Sequence, residues 1–269
     1  MEIIGYLAAV LIGIVLGVLG GGGSILTVPI LVYLMSVPAV TATGYSLLIV
    51  GATAAYGAIT YFKQGLIDVK ASVLFAVPSL ISVYYTRTYL MSAIPENISL
   101  GALSINKNVA IMVFFALLML MSATMMLRKA YKKVPAATSS STPDNASSHN
   151  VLLIAFWGAV VGIITGILGA GGGFIIIPAL VFLMGMSMKQ AVAASLFIIA
   201  LNSLFGFVGD LQAGIELDFQ LLGLMLIATF IGISISSKIA GKLDGQTLQK
   251  LFAFFILAIA IFIIVNEVL

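Results

Sequence analysis

Hydrophobic residues lie in long runs separated by short polar connections. The runs cover approximately residues 3–20, 24–36, 40–62, 71–94, 109–127, 151–168, 174–186, 190–208, 219–237 and 250–266. A helix that crosses a bilayer needs about 20 mainly apolar residues, because each residue rises 1.5 Å and the hydrocarbon core is about 30 Å thick. The pattern therefore predicts an all-α protein with several membrane-spanning helices.

Two apolar regions are too long to be single straight helices. Residues 3–36 would form a helix of about 51 Å, far longer than the hydrocarbon core. Gly20-Gly21-Gly22-Gly23 lies in the middle, and four glycines cost a helix several kcal/mol relative to alanine. Residues 151–186 are interrupted in the same way at Gly169-Ala170-Gly171-Gly172-Gly173. Each region is predicted to form a helical hairpin with a long arm before the glycines and a shorter arm after them.

The two interrupted regions are copies of one sequence. Gly17-Val18-Leu19-Gly20-Gly21-Gly22-Gly23-Ser24 aligns with Gly166-Ile167-Leu168-Gly169-Ala170-Gly171-Gly172-Gly173, 149 positions further on. The same offset pairs Pro29 with Pro178, Ala42 with Ala191, Ser46 with Ser195, Gly57 with Gly206 and Gly65 with Gly214. Apolar residues match by chance in membrane sequences, whereas Gly, Pro and Ser in one register do not. The chain is predicted to contain two homologous membrane repeats, residues 1–127 and 151–269, joined by a flexible hydrophilic linker at 128–150.

Composition excludes several classes of protein. Only 8% of the 269 residues are charged and 62% are hydrophobic, whereas a soluble domain carries about 25% charged residues. The net charge of +3 comes from scattered basic residues, so no nucleic-acid partner is expected. There is no cysteine and a single histidine, His149 in the linker, so neither a metal site nor a cofactor is expected. No catalytic constellation of Ser, His or Glu is present, and the chain is predicted not to be an enzyme.

Basic residues indicate the orientation, because Lys and Arg favour the cytoplasmic side. If the basic linker is inside and each hairpin crosses twice, the following side chains also fall inside: Lys63, Lys70, Lys189, Lys238, Lys242 and Lys250. Glu2, Glu96, Asp210, Glu216 and Asp218 then fall outside, and Lys107 is the one exception. This count gives each repeat an odd number of segments and predicts inverted repeats. A parallel four-plus-four arrangement is the alternative.

The glycine breaks are the candidate binding site. A helix that restarts after a break presents free N–H groups and about half a positive charge at its first turn, which suits an anion. The candidate residues are Gly20, Gly21, Gly22, Gly23, Ser24, Gly169, Gly171, Gly172 and Gly173, supported by Ser46, Thr53, Ser195 and Asn202 on the helix that follows each break. The alternatives are that the glycines serve only close helix packing and that the hydroxyls bond to their own helix.

Two ionisable residues lie close to the ends of apolar runs. Arg87 is interpreted as an anchor whose side chain extends to the membrane surface, rather than as a gate. Asp210 is interpreted as interfacial, with a proton-coupling role as the alternative. On these interpretations the pocket between the breaks would be electropositive without Lys or Arg.

The repeated motif resembles the sulfite exporter TauE/SafE family. The residues that carry the resemblance are Gly17-x-Leu19-Gly20-Gly21-Gly22-Gly23-Ser24 with Pro29, and the second copy from Gly166 to Gly173 with Pro178. The resemblance covers nearly the whole chain, although residues 92–108 are longer than their counterpart. It implies a multi-pass secondary transporter in the cytoplasmic membrane for a small sulfur-containing or organic anion such as sulfite, sulfoacetate or another sulfonate.

An anion channel of the same architecture is the alternative function. The sequence leaves open the direction of transport, the oligomeric state, and whether a proton or a sodium ion is coupled.

Overall fold

The long elements of the protein are helices. The computed structural model describes residues 2–95, 97–100, 103–131, 151–169, 171–240 and 245–268. In the first repeat the elements are α1 (Glu2–Leu19), α2 (Gly22–Pro29), α3 (Ala39–Lys63), α4 (Val69–Tyr85), α5 (Met91–Ala93), β1 (Asn97–Leu100), β2 (Leu103–Asn106) and α6 (Lys107–Tyr131). In the second they are α7 (Val151–Leu168), α8 (Gly173–Leu183), α9 (Met188–Gln212), α10 (Phe219–Ala240) and α11 (Gly245–Val268). The predicted all-α membrane fold is confirmed.

Six of the described helices are long and apolar enough to cross a membrane: Ala39–Lys63, Val69–Leu90, Lys107–Arg128, Met188–Gln212, Phe219–Ser236 and Gln249–Asn266. Their outer faces expose large apolar side chains, such as Phe62, Val77 and Ile227, each more than half exposed. Contiguous apolar surface of this extent is rare on soluble proteins and is stable against lipid.

Local sequence signals set the helix boundaries. Asp68 begins α4 by accepting a hydrogen bond from the Ala71 amide at 3.0 Å. Ser187 and Gln190 form a capping box at the start of α9. Such caps satisfy backbone N–H groups that have no acceptor within the helix. The helix α6 extends to Tyr131, so residues 128–131 of the predicted linker are helical. The rest of that linker, 132–150, lies outside the described residues.

Two helices continue as π-helical turns. Ile30–Leu34 follows Pro29 at the end of α2, and Thr86–Leu90 follows α4. Proline removes a backbone hydrogen bond from a helix, yet proline alone does not determine the π-helical turn after Pro29. The equivalent Pro178 lies inside the regular helix α8.

A short antiparallel β-hairpin separates α5 from α6 and accounts for the extra length of the first repeat. Asn97 pairs with Asn106, and Leu100 pairs with Leu103. At its end, the Lys107 ammonium donates to the Met91 carbonyl at 2.6 Å and to the Ile94 carbonyl at 3.1 Å. Carbonyls at a helix C-terminus favour a cation. Lys107, the exception to the charge rule, therefore has a local structural role.

The centre of the fold is the pair α3 and α9. Gly44 packs against Asp210, Gly51 against Ser203, and Gly206 against Leu47. As the residue number rises along α3, the number of its partner falls along α9. The two helices are therefore antiparallel. Gly57, further along α3, packs against Leu196 near the start of α9.

The remaining long helices pack reciprocally between the repeats. α1 packs on α10, α7 packs on α4, and α6 packs on α11. Gly17 of α1 faces Ile233 and Ser236, and the equivalent Gly166 of α7 faces Val83 and Thr86. Val83 and Ile233 are equivalent positions, and so are Thr86 and Ser236. The two members of each pair are 150 positions apart, rather than the 149 that relate Gly17 to Gly166. The capping residues Asp68 and Asp218 differ by the same 150, so one extra residue lies in the second connection before α10.

Candidate functional site

Both glycine runs interrupt their helices, as predicted. α1 ends at Leu19 and α2 begins at Gly22, with Gly20 at φ +63° between them. In the second repeat Gly169, Gly171 and Gly172 have φ of +64°, +65° and +71°. These left-handed conformations are accessible to glycine at little cost and strained for other residues. We call residues 20–23 the first glycine tip and residues 169–173 the second glycine tip.

The two glycine tips touch. A Cβ atom on Gly21 would overlap the Cα of Gly173, and a Cβ on Gly173 would overlap the Cα of Gly21. A Cβ on Gly171 would lie 2.9 Å from the side chains of Val50 and Ile199. Val50 and Ile199 are equivalent positions near the middle of α3 and α9. The structure therefore brings both tips to the centre of the helix pair.

The half-helices that start at the tips have no side-chain caps. Gly21 precedes α2 and Gly172 precedes α8, and neither position has a capping side-chain hydrogen bond. Ser24 does not cap α2, because its hydroxyl donates to the Gly21 carbonyl at 2.6 Å. The first amides of both half-helices thus keep the partial positive charge of a helix N-terminus. Gly22 is the first residue of α2, so its backbone amide belongs to the first turn of that half-helix.

Buried hydroxyl groups without protein partners surround the second tip. The Ser203 hydroxyl lies 3.1 Å from the position that a Cβ on Gly171 would occupy, and the Thr165 hydroxyl is in contact with Gly172. Neither makes a hydrogen bond within the described part of the chain, and the same is true of the buried hydroxyls of Ser46 and Thr27. Orphaned buried hydroxyls cost free energy unless a ligand or water satisfies them. Ser46 was predicted; Thr165 and Thr27 were missed, although each is a polar residue in an apolar run.

Three of the predicted supporting residues bond to the protein itself. The Ser195 hydroxyl lies beside Gly20 and donates to the Val192 carbonyl at 2.8 Å. Thr53 donates to the Ile49 carbonyl at 2.6 Å and bonds the Thr229 hydroxyl at 2.8 Å.

The Asn202 amide donates to the Ser79 hydroxyl at 2.6 Å, while its carbonyl oxygen has no partner among the described residues. Ser79 and Thr229 are equivalent positions in α4 and α10. Thr53 and Asn202 therefore make matching cross-links between helices.

Arg87 and Asp210 correct the interpretation from sequence. Arg87 is only 2% exposed and its guanidinium contacts Gly169. Its Nη1 donates to the Thr43 hydroxyl at 3.1 Å and lies 3.4 Å from the Asp210 carboxylate. Arg87 is therefore not a surface anchor, and Asp210, 7% exposed, is buried beside it.

The physical reason is that α4 packs parallel to α7, so Arg87, which follows α4, lies at the depth where α7 ends. Helix α9 covers Arg87 from the other side of α4. One tip thus has a buried cation beside it, and the prediction of a pocket without Lys or Arg was wrong. Opposite charges on distant segments give no signal in a single sequence that they pair.

Two cavities flank the tips at equivalent positions of the two repeats. The Tyr61 cavity, about 200 Å³, is lined by residues that include Gly17, Tyr61, Gln64, Lys189, Val192 and Ser236. The Arg87 cavity, about 500 Å³, is lined by residues that include Val40, Tyr45, Arg87, Asp210, Ala213 and Glu216. The pairs Val40 and Lys189, Asp210 and Tyr61, and Ala213 and Gln64 are equivalent positions. Each cavity adjoins one tip: Val192, which lines the Tyr61 cavity, packs beside Gly20, and Arg87 contacts Gly169.

Comparison with known proteins gives consistent results. A family model described as Sulfite exporter TauE/SafE matches residues 5–263. A "Probable membrane transporter protein" of Xylella fastidiosa (strain 9a5c) is 28% identical over 264 residues, covering 94% of this chain and 91% of that protein.

The "Probable membrane transporter protein YunE" of Bacillus subtilis (strain 168) is 25% identical over 78% of this chain and 79% of its own length. No solved structure matches the chain. The relatives are named as transporters and not as enzymes. The chain belongs to the sulfite exporter TauE/SafE family and is a multi-pass membrane transporter.

Proposed function

We propose that this protein is a secondary transporter of the cytoplasmic membrane for a small sulfur-containing or organic anion, such as sulfite or a sulfonate, which binds at the two glycine tips. The observation that carries the proposal is the contact of Gly21 with Gly173, which brings two uncapped helix N-termini to one place. Helix N-termini bind anions through free amides and the helix dipole. Broken helices that meet inside a membrane bundle form the substrate sites of many transporters.

The hydroxyl groups around the tips support the same ligand class. Ser203 and Thr165 are fully buried and have no hydrogen-bond partner in the described residues. A hydroxyl can donate to an oxyanion at little cost in reorganisation. Because Gly21 and Gly173 touch in the described conformation, an anion enters only when the tips move apart, so binding and conformational change are linked.

Alternating access follows from inverted repeats. α3 and α9 are equivalent helices, and they run antiparallel through the centre of the fold. Equivalent helices in a parallel four-plus-four arrangement would cross the bilayer in the same direction, so the observed packing supports the inverted arrangement. The Tyr61 cavity contains Lys189 and the Arg87 cavity contains Glu216. The positive-inside rule places the first on the cytoplasmic side and the second outside.

A carrier and a channel differ in how the two cavities connect. The lining residues of the Tyr61 and Arg87 cavities do not overlap, and the glycine contact lies between them. This favours a carrier that opens to one side at a time. In proteoliposomes, uptake that saturates and exchanges against labelled substrate supports the carrier, and single-channel currents would contradict it. An imposed proton or sodium gradient in the same vesicles tests the coupling ion.

The test of the anion site is a thermal-shift screen of the purified protein with sulfite, sulfate, thiosulfate, sulfoacetate and acetate. A ligand at ten times its Kd should stabilise the protein by about 1.4 kcal/mol, following mass action. No stabilisation by any of these anions, together with no uptake in vesicles, would contradict the proposal.

A pair of serine variants makes the test specific to the tips. Ser203→Ala should leave the stability of the ligand-free protein unchanged or slightly higher, because its hydroxyl has no partner in the described protein, and it should weaken the anion-induced shift. Ser72→Ala is the matched control, because that hydroxyl is also buried without a partner in the described protein but lies in the first turn of α4. An equal anion response in both variants would place the ligand elsewhere.

A further inference from the structure

The Arg87 guanidinium has unused hydrogen-bond donors. It is 2% exposed, and among the described residues only its Nη1 has partners, the Thr43 hydroxyl and the Asp210 carboxylate. Its Nε and Nη2 atoms are buried with no hydrogen-bond partner among the described residues. Arginine presents five N–H donors in a rigid fork that fits two oxygen atoms of one oxyanion. Here most of that fork is unoccupied by the protein, and the residue lines a cavity of about 500 Å³.

The ion pair with Asp210 is loose. Nη1 lies 3.4 Å from one carboxylate oxygen and 3.5 Å from the other, whereas charge-assisted N–H···O bonds are typically 2.7–2.9 Å long. The pair uses one nitrogen and is not the bidentate geometry in which arginine binds a carboxylate most strongly. The Asp210 Oδ2 atom has no hydrogen bond within the described chain. Burial of both charges is costly unless further bonds are made.

The pair breaks the symmetry of the two repeats. The position equivalent to Asp210 is Tyr61, and the position equivalent to Arg87 is Ser237. In the sequence, the two equivalent positions are therefore neutral hydroxyl residues, where the Arg87 cavity has a cation and an anion. A structural cross-link common to both halves would be expected in both, as with Thr53 and Asn202. The charged pair belongs to one end of the pathway only.

We propose that Arg87 is a second anion-binding residue of this transporter, and that an oxyanion of the substrate replaces the Asp210 carboxylate on its guanidinium. The inference rests on the proposed function. It adds a second anion-binding position in the Arg87 cavity, beside the second glycine tip, which we call the Arg87 station. The ligand class is a sulfonate, sulfite or carboxylate with two oxygens for the arginine fork. Asp210 acts as the protein's own competing anion, which weakens binding and promotes release. Contact between Arg87 and Gly169 links the station to the tip.

Four variants in a thermal-shift and labelled-anion binding assay test the proposal, with sulfite and methanesulfonate as probes. Arg87→Gln should lower the affinity at least about tenfold, the size expected for lost bonds to a charged group. Asp210→Asn should raise the affinity by about three- to tenfold, although the ligand-free protein melts at a lower temperature because Arg87 has lost its partner. Arg87→Lys keeps the charge without the fork and should bind more weakly than wild type.

The double variant Arg87→Gln/Asp210→Asn removes both buried charges and should recover thermal stability relative to Arg87→Gln, yet it should not recover anion affinity. It keeps the test informative if a single variant folds poorly. A structural ion pair predicts the opposite pattern, with both single variants unstable and every variant binding the anion with wild-type affinity. Unchanged affinity in the double variant, or weakened affinity in Asp210→Asn, overturns the inference.

Failure of the proposed function has a different signature. In that case the wild-type protein is stabilised by none of the probes. If wild type responds and Ser203→Ala weakens the response while the charge variants do not, only the Arg87 station is refuted.

Discussion

Alanine at Gly21 or Gly173 tests whether the glycine tips touch. Neither residue has a positive φ, so alanine causes no backbone strain there. In a helix, alanine is itself favoured over glycine by about 1 kcal/mol in the interior and by less at an end. Any destabilisation of Gly173→Ala, at the first residue of α8, therefore comes from overlap with the Gly21 backbone and, to a lesser extent, with the flexible end of the Ile199 side chain.

The expected magnitude follows from the overlap. The added methyl group would sit well inside the ordinary separation of 3.4–4 Å from the partner Cα, so the half-helices must part by roughly 1.5 Å to restore contact. Overpacking of this kind costs about 1–3 kcal/mol. At about 2–4 °C per kcal/mol for a chain of this size, each single variant should melt roughly 2–12 °C below wild type in detergent.

A double-mutant cycle gives the decisive result. Once one methyl group has separated the tips, the second adds little, so Gly21→Ala/Gly173→Ala should lose less stability than both single variants combined. Residues in direct contact typically show about 0.5–3 kcal/mol of such coupling. Gly223→Ala is the matched control, because nothing lies within 4 Å of a Cβ there, and its effect should add to that of either variant. Strict additivity of the tip variants, or a gain in melting temperature, would refute the contact.

Further substitutions test other parts of the structure. Asn202→Leu should lower the free energy of unfolding by about 1–2 kcal/mol, because it leaves the Ser79 hydroxyl without its 2.6 Å partner. Thr53→Val should cost less, since the Thr53 hydroxyl also bonds its own helix. A lower melting temperature for Thr53→Val than for Asn202→Leu would contradict this assignment. Ser187→Ala should lower stability by about 0.5–2 kcal/mol through loss of the capping box, an effect that a Ser187→Asp variant should largely avoid. Gly223→Ala alone should raise the melting temperature, worth at most about 1 kcal/mol of helix propensity, and a decrease would show that the open space beside it is filled.

Periodicity and spacing predicted the elements, because membrane depth and helix rise limit what an apolar run can form. Residues 190–208 were predicted as a helix and lie within α9, Met188–Gln212. The breaks were predictable because four glycines cannot continue a helix, and Gly20 has the left-handed φ that glycine permits. The β-hairpin that begins at Asn97 was not predicted, although its strands Asn97–Leu100 and Leu103–Asn106 each alternate polar and apolar residues and are separated by two residues, a pattern typical of a hairpin.

Predicting the side-chain partners requires knowledge of which helices touch, and a single sequence does not contain it. Arg87 and Asp210 are 123 positions apart, and each alone fits an interfacial role at the end of an apolar run. Thr53 and Asn202 were correctly paired as equivalents by register. Only the packing of α3 on α10 and of α9 on α4 shows that they cross-link helices.

The duplication separates shared structure from local specialisation. Contacts that both halves need occur twice. Gly17 and Gly166 each pack closely against a helix of the other repeat, and the equivalent residues Val50 and Ile199 both contact Gly171 at the second tip. Features that occur once cannot be required by the two-fold arrangement, since the other half folds without them. Arg87 is such a feature, opposite a serine position in the second repeat. On the proposed function, a transporter with two identical ends would bind its substrate equally well from both sides. The buried cation at the Arg87 cavity would then give the pathway an unequal affinity for an anion at its two ends.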